Sequence, residues 1–205
     1  QDLSLENARL KNNLARYKNR ARKNKTLVRD SVQYHYQAAR VINNSTNKIH
    51  NFITLNKGRK DGIKPEMGVV SSSGVVGVVN HVSAHFATAI SILNPELRVS
   101  AKIKHNDYFG SVVWDGNQLR TAKLREIPYH VDISKGDTVV TSGFSAIFPE
   151  QILIGFIEDY NLQSGNFYDI TIKLAANMKS LAYVYIISNE LNEEQKQLEN
   201  KGLND

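Results

Sequence analysis

The chain has 205 residues, of which 41% are hydrophobic, and this is enough to bury a core in one large domain or two small ones. It contains no cysteine, which excludes disulfides, cysteine-ligated metals and cysteine nucleophiles. The net charge of +6 lies within residues 1–30, which hold 9 Lys and Arg against 3 Asp and Glu, whereas the remainder is balanced at 17 against 17.

No apolar run approaches the roughly 18 residues that a membrane helix needs, and the N-terminal segment QDLSLENARLKNNLARYKNR has no apolar signal-peptide core. We therefore expect a soluble chain. Because it begins at Gln1 and not at Met, we also expect a fragment from which a targeting or anchoring segment is missing.

The first predicted element is a helix from Ser4 to about Val32, in a stretch without Gly or Pro. Apolar residues recur there at alternating spacings of four and three, which predicts a coiled-coil helix over residues 1–35. The predicted dimer seam consists of Leu10, Leu14, Tyr17, Ala21 and Val28. Beside it, Lys11, Lys18 and Lys25 would repel their equivalents in a parallel symmetric pair. Self-pairing and a solvated stalk helix therefore both stay open.

The same helix is strongly basic, which admits other partners. Its basic side chains could bind nucleic acid, or anionic lipid head groups if a membrane anchor precedes the helix. They are Arg9, Lys11, Arg16, Lys18, Arg20, Arg22, Lys23, Lys25 and Arg29. Tyr17 is its only aromatic residue and no nucleic-acid recognition module follows, so we favour a solvated charged face over a nucleic-acid site.

After about Tyr36 the sequence changes to short runs rich in Val, Ile, Tyr and Thr between turn residues, a pattern typical of all-β domains. Twelve strands are predicted, near residues 36–42, 50–56, 67–72, 75–83, 86–92, 98–104, 108–114, 120–126, 138–141, 151–159, 166–176 and 182–188. So many short strands indicate barrels or a sandwich. We expect the polar residues 189–205 to form a frayed helix or a disordered tail.

Two segments of the β region resemble each other. GIKPEMGVVSSSGVVGVV shares a lysine, a turn and a Val-Val strand with ISKGDTVVTSG, which PEQILIGFI follows. Each segment then carries a glycine between β-forming residues, Gly77 or Gly155, and small barrels need such glycines for a bulge, a bend or a close backbone approach. The predicted fold is mainly β, with two small six-stranded β-barrels after the coiled-coil helix. We place the first barrel in residues 36–75 and 137–188 and the second in residues 76–136.

The segment KGDTVVTSG raises the question of whether Ser142 is a nucleophile, because Gly-Asp followed by Ser-Gly is similar to the nucleophile loop of trypsin-like serine proteases. Four residues that read as a strand, 138–141, separate the two pairs, so the tight loop that such an enzyme needs is absent. Asp137 is better explained as a turn residue that leads into this strand.

The other members of a triad are weakly indicated. His81 or His85 as the base and Asp107 or Asp115 as the orienting residue have the required order in the chain, but a chain with six His satisfies that order by chance. The four-residue spacing of the two histidines suits a metal only on a helix, and this segment reads as strand, turn, strand. No Walker loop, dinucleotide fingerprint or HExxH motif is present, and we expect no cofactor and no metal.

In chain order, four segments resemble the family of rod shape-determining proteins MreC: the heptad helix, NFITLNKGRKDGIKPEMGVVSSSGVVGVVNHVS, ISILNPELRVSAKI and GDTVVTSGFSAIFPEQILIGFI. The matching positions are Asn56-Lys57-Gly58, Asp61-Gly62-Ile63, Met67 to Val70, Gly74 to Val79, Gly136 to Gly143, and Phe148-Pro149 through Gly155-Phe156-Ile157. The resemblance runs from the helix to about Ser188, and it is the ordered set that is specific.

The resemblance implies a single-pass protein of the cytoplasmic membrane, with this fragment in the periplasm or outside the cell. The implied barrels are similar to those of chymotrypsin-like proteases but are not enzymes. The implied function is a scaffold of the cell-elongation and peptidoglycan-synthesis machinery that maintains rod shape. The implied partners are the elongation-specific class B penicillin-binding transpeptidase, MreD, RodA and, through a cytoplasmic part, MreB. The resemblance also implies a homodimer through the helix and self-assembly through the barrels.

We therefore expect a non-catalytic scaffold whose barrel surfaces and exposed strand edges bind partner proteins or copies of itself. The alternative is a secreted trypsin-like serine hydrolase with an atypical triad. This chain departs from the family pattern in lacking a membrane segment and in having a poor heptad seam. Partner-binding residues are not readable, because apolar positions in strands are mostly core positions.

Overall fold

The computed structural model describes residues 2–23, 33–162 and 166–202. The helices are α1 (Asp2–Lys23) and α2 (Asn192–Gly202), and short 3-10 helices occupy Arg59–Asp61 and Met178–Ser180. The strands are β1 (Tyr34–Asn44), β2 (Phe52–Leu55), β3 (Gly68–Val70), β4 (Val75–Val82), β5 (Ala87–Ser91), β6 (Arg98–Ile103), β7 (Phe109–Val113), β8 (Thr121–Arg125), β9 (Thr138–Thr141), β10 (Leu153–Leu162), β11 (Tyr168–Leu174) and β12 (Tyr183–Asn189). Within these ranges no helix combines the length and the apolar character needed to cross a lipid bilayer.

All twelve predicted strands are present, because each carries its own local signal of β-forming residues between turn residues. The predicted N-terminal helix is present as far as Lys23, and residues 24–32 lie outside the described residues. In the polar C-terminal segment the structure shows a helix, α2, which follows β12 directly.

The strands close into two six-stranded antiparallel barrels. The first has the order β1-β12-β3-β4-β5-β2, and the second has the order β10-β11-β8-β7-β6-β9. The second barrel is contiguous in sequence, from Arg98 to Leu174. The first is completed by the last strand of the chain, since β12 inserts between β1 and β3.

The division of strands between the barrels differs from the predicted boundaries. β4 and β5 fall largely in the predicted second barrel (76–136) but belong to the first, and β9 to β11 fall in the predicted first barrel (137–188) but belong to the second. The physical reason is local pairing: β3, β4 and β5 pair in succession, as do β9, β10 and β11. Among the strands that the structure describes, only β12 is separated in the chain from the rest of its barrel by the other barrel.

Gly77 and Gly155 lie at the close backbone approaches that the sequence predicts. A Cβ atom on Gly77 would lie 2.1 Å from the carbonyl oxygen of Ile90, and one on Gly155 would lie 2.2 Å from that of Lys173. Register shifts accompany both, in the β3–β4 and β9–β10 pairs. The two similar sequence segments therefore form the same corner in two barrels, as their resemblance suggests.

The inward-facing side chains are aliphatic and mostly β-branched. Ile53 and Leu55 of β2 and Ile170 and Ile172 of β11 are fully buried, each pair two residues apart along its strand. One hydrophobic core runs through both barrels. This continuous core holds the two barrels as a rigid base for the surface groups described next.

Candidate interaction surfaces

Ser142 is not arranged as a nucleophile. It is 5% exposed, and its Oγ lies 2.7 Å from the Oγ of Ser100 and accepts a hydrogen bond from the backbone N–H of Phe144 at 3.2 Å. A serine nucleophile needs an imidazole at that position. Asp107, one of the two candidate orienting residues, instead pairs with the ammonium of Lys102. Ser142 is therefore a strand-end residue whose hydroxyl caps a turn.

The histidines and the second candidate aspartate are also separate from Ser142. His81 lies in β4, and His85, in the turn after it, has its Nε2 3.4 Å from Nζ of Lys60. Asp115 accepts hydrogen bonds from Asn117. Among the described residues there is no group of three or more metal-ligating side chains. The structure therefore does not assemble the hydrolase triad.

Two aromatic rings form the clearest exposed apolar feature of the second barrel. Phe109, at the start of β7, is 42% exposed, and Phe144, in the β9–β10 loop, is 68% exposed. Their ring centroids lie 4.1 Å apart at an interplanar angle of 40°. We call these two residues the aromatic pair. Large apolar side chains that cluster on a surface commonly mark a binding site, and aromatic residues are enriched there.

A buried lysine lies beside the aromatic pair. Lys102 of β6 is directly opposite Phe109 in the β6–β7 pair, and its side chain is only 5% exposed. Its ammonium donates to the carboxylates of Asp107 and Glu150, and these two hydrogen bonds, that of Asp107 first, raise the pKa of Lys102. Glu150 belongs to the loop that carries Phe144. The lysine thus ties this loop to the barrel wall.

The β9–β10 loop is held on its other side by the first barrel. Phe148 is buried, and its ring lies so close to Gly68 of β3 that a Cβ atom there would approach it to 2.6 Å. The side-chain amide of Asn189, in β12, donates to the carbonyl of Ala146 at 2.9 Å. Of the aromatic pair, Phe109 therefore lies on a strand and Phe144 on a loop fixed to both barrels, which reduces the entropy lost when a partner binds.

Replacing Lys102 by methionine is expected to loosen this loop without unfolding the barrels. The change leaves Asp107 and Glu150 without their cation, and we expect a loss of about 1–2 kcal/mol in the free energy of unfolding. Because the pKa of Lys102 is raised, the charged form is favoured at neutral pH, and its contribution is lost only as the pH rises through that raised value.

Hydrogen exchange measured by mass spectrometry checks this prediction. Peptides covering residues 144–150 should exchange about tenfold faster in Lys102→Met, as expected for a local loss of about 1.4 kcal/mol. Lys104→Met is the matched control, since Lys104 is exposed two residues further along. Equal exchange in both variants would show that Lys102 does not hold the loop.

The predicted dimer seam is only partly visible. Leu10 and Leu14 of α1 are 57% and 55% exposed, so both are free to meet a partner. Tyr17 and Ala21 belong to the same helix, but their side chains lie outside the described part, and Val28 lies outside the described residues altogether. The seam therefore stays a prediction.

A different face of α1 packs on the first barrel. Ala8 is buried, and the side-chain amide of Asn12 exchanges two hydrogen bonds with the backbone of Tyr36 in β1. The ammonium of Lys11 lies 5.6 Å from the ring centroid of Tyr36 and 5.0 Å from that of Tyr185. Docking through this face leaves the leucines outward.

Sequence reasoning missed the aromatic pair and Lys102. The alternation Ala101, Lys102, Ile103 correctly indicates that Lys102 points away from the barrel interior. Nothing in the sequence indicates that a loop 48 residues further on covers it. Likewise, Phe109 and Phe144 are apolar residues like those of the core, and only the folded structure shows their exposure.

Comparisons with known proteins agree on one family. A family model described as "Rod shape-determining protein MreC, barrel core" matches residues 41–188. The cell shape-determining protein MreC of Listeria monocytogenes is 32% identical over 165 residues, which are 78% of this chain and 56% of that protein. The chain spans about half the length of the curated relatives that it matches.

Solved structures show the same fold. MreC from Listeria monocytogenes has a TM-score of 0.76 at 32% identity, covering 90% of this chain and 91% of that one. The major periplasmic domain from "the cell shape-determining filament MreC" has a TM-score of 0.66 at 23% identity, covering 77% and 97%. A complex between penicillin-binding protein PBP2 and MreC from Helicobacter pylori has a TM-score of 0.62 at 18% identity, covering 77% and 99%. The last two likenesses concern the fold alone.

Proposed function

The chain belongs to the MreC family of rod shape-determining proteins, and on this basis we propose that it is a non-catalytic scaffold of the peptidoglycan-synthesis machinery of cell elongation. It maintains cell shape by holding partner proteins together and performs no chemistry itself. The arrangement around Ser142 supports this view, because its hydroxyl meets another hydroxyl and a backbone amide where a hydrolase would place a base.

The observation that carries the proposal is the aromatic pair, in which Phe109 of β7 meets Phe144 of a loop fixed to both barrels. We propose that the elongation-specific class B transpeptidase docks there. The existence of a complex between PBP2 and an MreC protein from Helicobacter pylori supports a transpeptidase as partner. Exposed, rigidly held aromatic side chains are the residue type that most often dominates the binding energy of an interface.

The remaining partners are proposed from family membership. In this proposal the chain lies outside the cytoplasmic membrane and is attached to it by a single membrane helix, as family membership implies. MreD and RodA then bind in or near the membrane, and MreB binds a cytoplasmic part. The basic first thirty residues support this placement, since a cluster of Lys and Arg next to a membrane is attracted to anionic lipid head groups.

Self-association is the other part of the proposal. Leu10 and Leu14 form an outward apolar stripe on α1, and we propose that they meet the same stripe of a second copy in a homodimer. The description of a related MreC as a filament supports assembly of copies. A dimer would place two sets of barrels, and hence two aromatic pairs, on one scaffold.

Replacing Phe109 and Phe144 together by serine is expected to weaken binding of the transpeptidase ectodomain about thirtyfold or more. Two aromatic anchors at the centre of an interface contribute about 2 kcal/mol or more when truncated. The measurement is titration calorimetry with the purified ectodomain of the same host's transpeptidase. Because both rings are partly exposed in the free protein, the double variant should stay folded, with the melting temperature lowered only by the loss of the contact between the rings.

Phe86→Ser provides the matched control, since Phe86 is an exposed aromatic residue in the turn after β4 of the first barrel. It should bind the transpeptidase as the unsubstituted chain does. Equal affinities of the double variant and the control would place the docking surface elsewhere. Absence of binding by the unsubstituted chain would contradict the transpeptidase as a direct partner of this chain.

A further inference from the structure

One edge of β1 has no strand partner along half of its length. β1 pairs with β12 over Tyr34–Arg40, whereas its pairing with β2 begins only at Val41. In the part of the chain that the structure describes, no strand pairs with β1 opposite β12 before Val41. The barrel is therefore closed at one end of β1 and leaves a strand edge at the other.

The direction of the backbone groups on this edge follows from the register. Val41 donates its backbone N–H to the carbonyl of Ala182, next to β12, so the odd-numbered residues of β1 face β12. Successive residues of a strand alternate, so Tyr34, Tyr36 and Ala38 direct their N–H and C=O groups to the open edge. Such a row of donors and acceptors is a template for another strand.

A side chain of α1 occupies the middle of this row. Asn12 Oδ1 accepts the N–H of Tyr36 at 2.8 Å, and Asn12 Nδ2 donates to the carbonyl of Tyr36 at 3.1 Å. An asparagine amide thus copies the pair of hydrogen bonds that a neighbouring strand would make. Asn56 does the same for Arg40, at 2.7 Å and, through its backbone N–H, at 3.1 Å.

A groove of about 500 Å³ runs between α1 and this edge. Leu5 and Arg9 line it on the helix side, and Gln37 and Ala38 line it on the strand side. A strand edge next to a helix is the arrangement in which β-augmentation domains accept an extended peptide. The groove therefore leads to the backbone groups of Ala38 that face the edge.

We propose that the open edge of β1 is a strand-addition site for an extended acidic segment of a partner protein, and that Asn12 is a plug which this segment displaces. The extended form follows from the two-residue spacing of the edge groups, which only a strand matches. The site lies on the first barrel and is separate from the aromatic pair on the second.

The acidic character follows from charge. α1 carries seven Lys and Arg against two Asp and Glu, and Arg9 and Lys11 stand beside the edge. A second copy pairing through its own β1 would bring its own α1 into the same place, since α1 lies on this edge through Asn12, and the two helices would exclude each other. A segment with alternating carboxylates meets complementary charge along the same path.

The test uses synthetic peptides as probes on the whole chain. A fluorescent peptide of alternating Glu and Val is titrated by anisotropy against the unsubstituted chain, Asn12→Ala and Asn13→Ala, with a Lys and Val peptide for comparison. Asn13 is the matched control, since it lines the groove but does not contact Tyr36 through a hydrogen bond in the structure. Removing the plug is expected to tighten binding of the acidic peptide about tenfold, and Asn13→Ala should bind as the unsubstituted chain does.

Ala38→Pro in the Asn12→Ala background locates the site. The backbone N–H of Ala38 faces the open edge and not β12. Proline at this position therefore removes a hydrogen-bond donor of the edge without removing a hydrogen bond between β1 and β12, and the barrel should keep its melting temperature. Binding should fall at least tenfold, and in the folded Asn12→Ala chain the bound peptide should slow amide exchange at Tyr34 and Ala38. Three results would each overturn the proposal. They are saturable binding without slower exchange at these amides, equal binding of the Lys and Val peptide, and no binding of the acidic peptide to Asn12→Ala. Stronger self-association of Asn12→Ala than of the unsubstituted chain, without peptide binding, would also overturn it, because a second copy would then be the occupant of the edge.

Discussion

Replacing Gly77 by alanine is expected to destabilise the protein by about 3 kcal/mol, a large part of the stability of a typical domain. The added Cβ atom would lie 2.1 Å from the carbonyl oxygen of Ile90 and 3.1 Å from its carbonyl carbon. Both atoms belong to the backbone of β5, the neighbouring strand, so no side-chain rotation relieves the clash. The strands must separate, which breaks hydrogen bonds of the β4–β5 ladder.

The second barrel offers the same substitution at the equivalent corner. In Gly155→Ala the Cβ atom would lie 2.2 Å from the carbonyl oxygen of Lys173 in β11. We expect a loss similar to that of Gly77→Ala, because both barrels share one hydrophobic core and are therefore expected to unfold as one unit. A single urea transition should therefore shift to lower urea in both variants.

Gly116→Ala separates this clash from the ordinary cost of replacing glycine. Gly116 has φ +85°, and a Cβ atom there would meet nothing within 4 Å, so only backbone strain of about 1 kcal/mol is expected. Urea unfolding should be followed by circular dichroism and by the fluorescence of Trp114, the only tryptophan. Losses in Gly77→Ala and Gly155→Ala no larger than that of Gly116→Ala would contradict the close approach.

The strands and the two corner glycines were predictable because their signals are local. Alternating β-forming residues mark each strand, and turn residues mark the ends. Gly77 and Gly155 stand out because glycine weakens a strand unless two backbones must come close. The similarity of the two glycine segments then indicates two related barrels, and the structure confirms both.

The assignment of strands to barrels was not predictable in the same way. β12 pairs with β1 about 150 residues earlier, for instance through Tyr185 and Ala38, and no local pattern specifies such a partner. The local sequence pattern that predicts a strand does not specify to which of the two barrels the strand belongs. The prediction that one barrel is built from two separate parts of the chain is therefore right, but the strands assigned to that barrel are in part wrong.

The site residues were predictable only in part. The outward direction of Lys102 follows from strand alternation, but its burial depends on Glu150 and the loop that carries it. The sequence places Lys11 beside the seam, where it would repel its equivalent in a second copy, whereas in the structure its ammonium packs over the rings of Tyr36 and Tyr185 and burial lowers its pKa. Packing between distant elements decided both cases.

The position of Lys11 also changes the argument about dimerisation. The sequence pattern counts this lysine among the charges that oppose a parallel pair. In the structure its ammonium is turned toward the first barrel, whereas Leu10 and Leu14 stay outward. At this level of the helix, repulsion between lysines of two copies is therefore reduced, and apolar burial favours the pair.

Replacing Leu10 and Leu14 together by serine is expected to convert a homodimer to monomers, with the dissociation constant raised at least a hundredfold. Each leucine buried in a seam contributes about 2 kcal/mol, and a symmetric dimer loses four of them. Sedimentation equilibrium over a range of concentrations measures the change in mass.

Leu198→Ser is the matched control, since Leu198 is an exposed leucine on the other helix, α2, and does not belong to the predicted seam. It should leave the dimer unchanged. Because Leu10 and Leu14 are exposed in the single chain, the double variant should keep the melting temperature of the barrels at concentrations where both proteins are monomeric. An unchanged mass in the double variant would assign any self-association to the barrels, and the outward leucines of α1 would then belong to the surface of a stalk that does not pair.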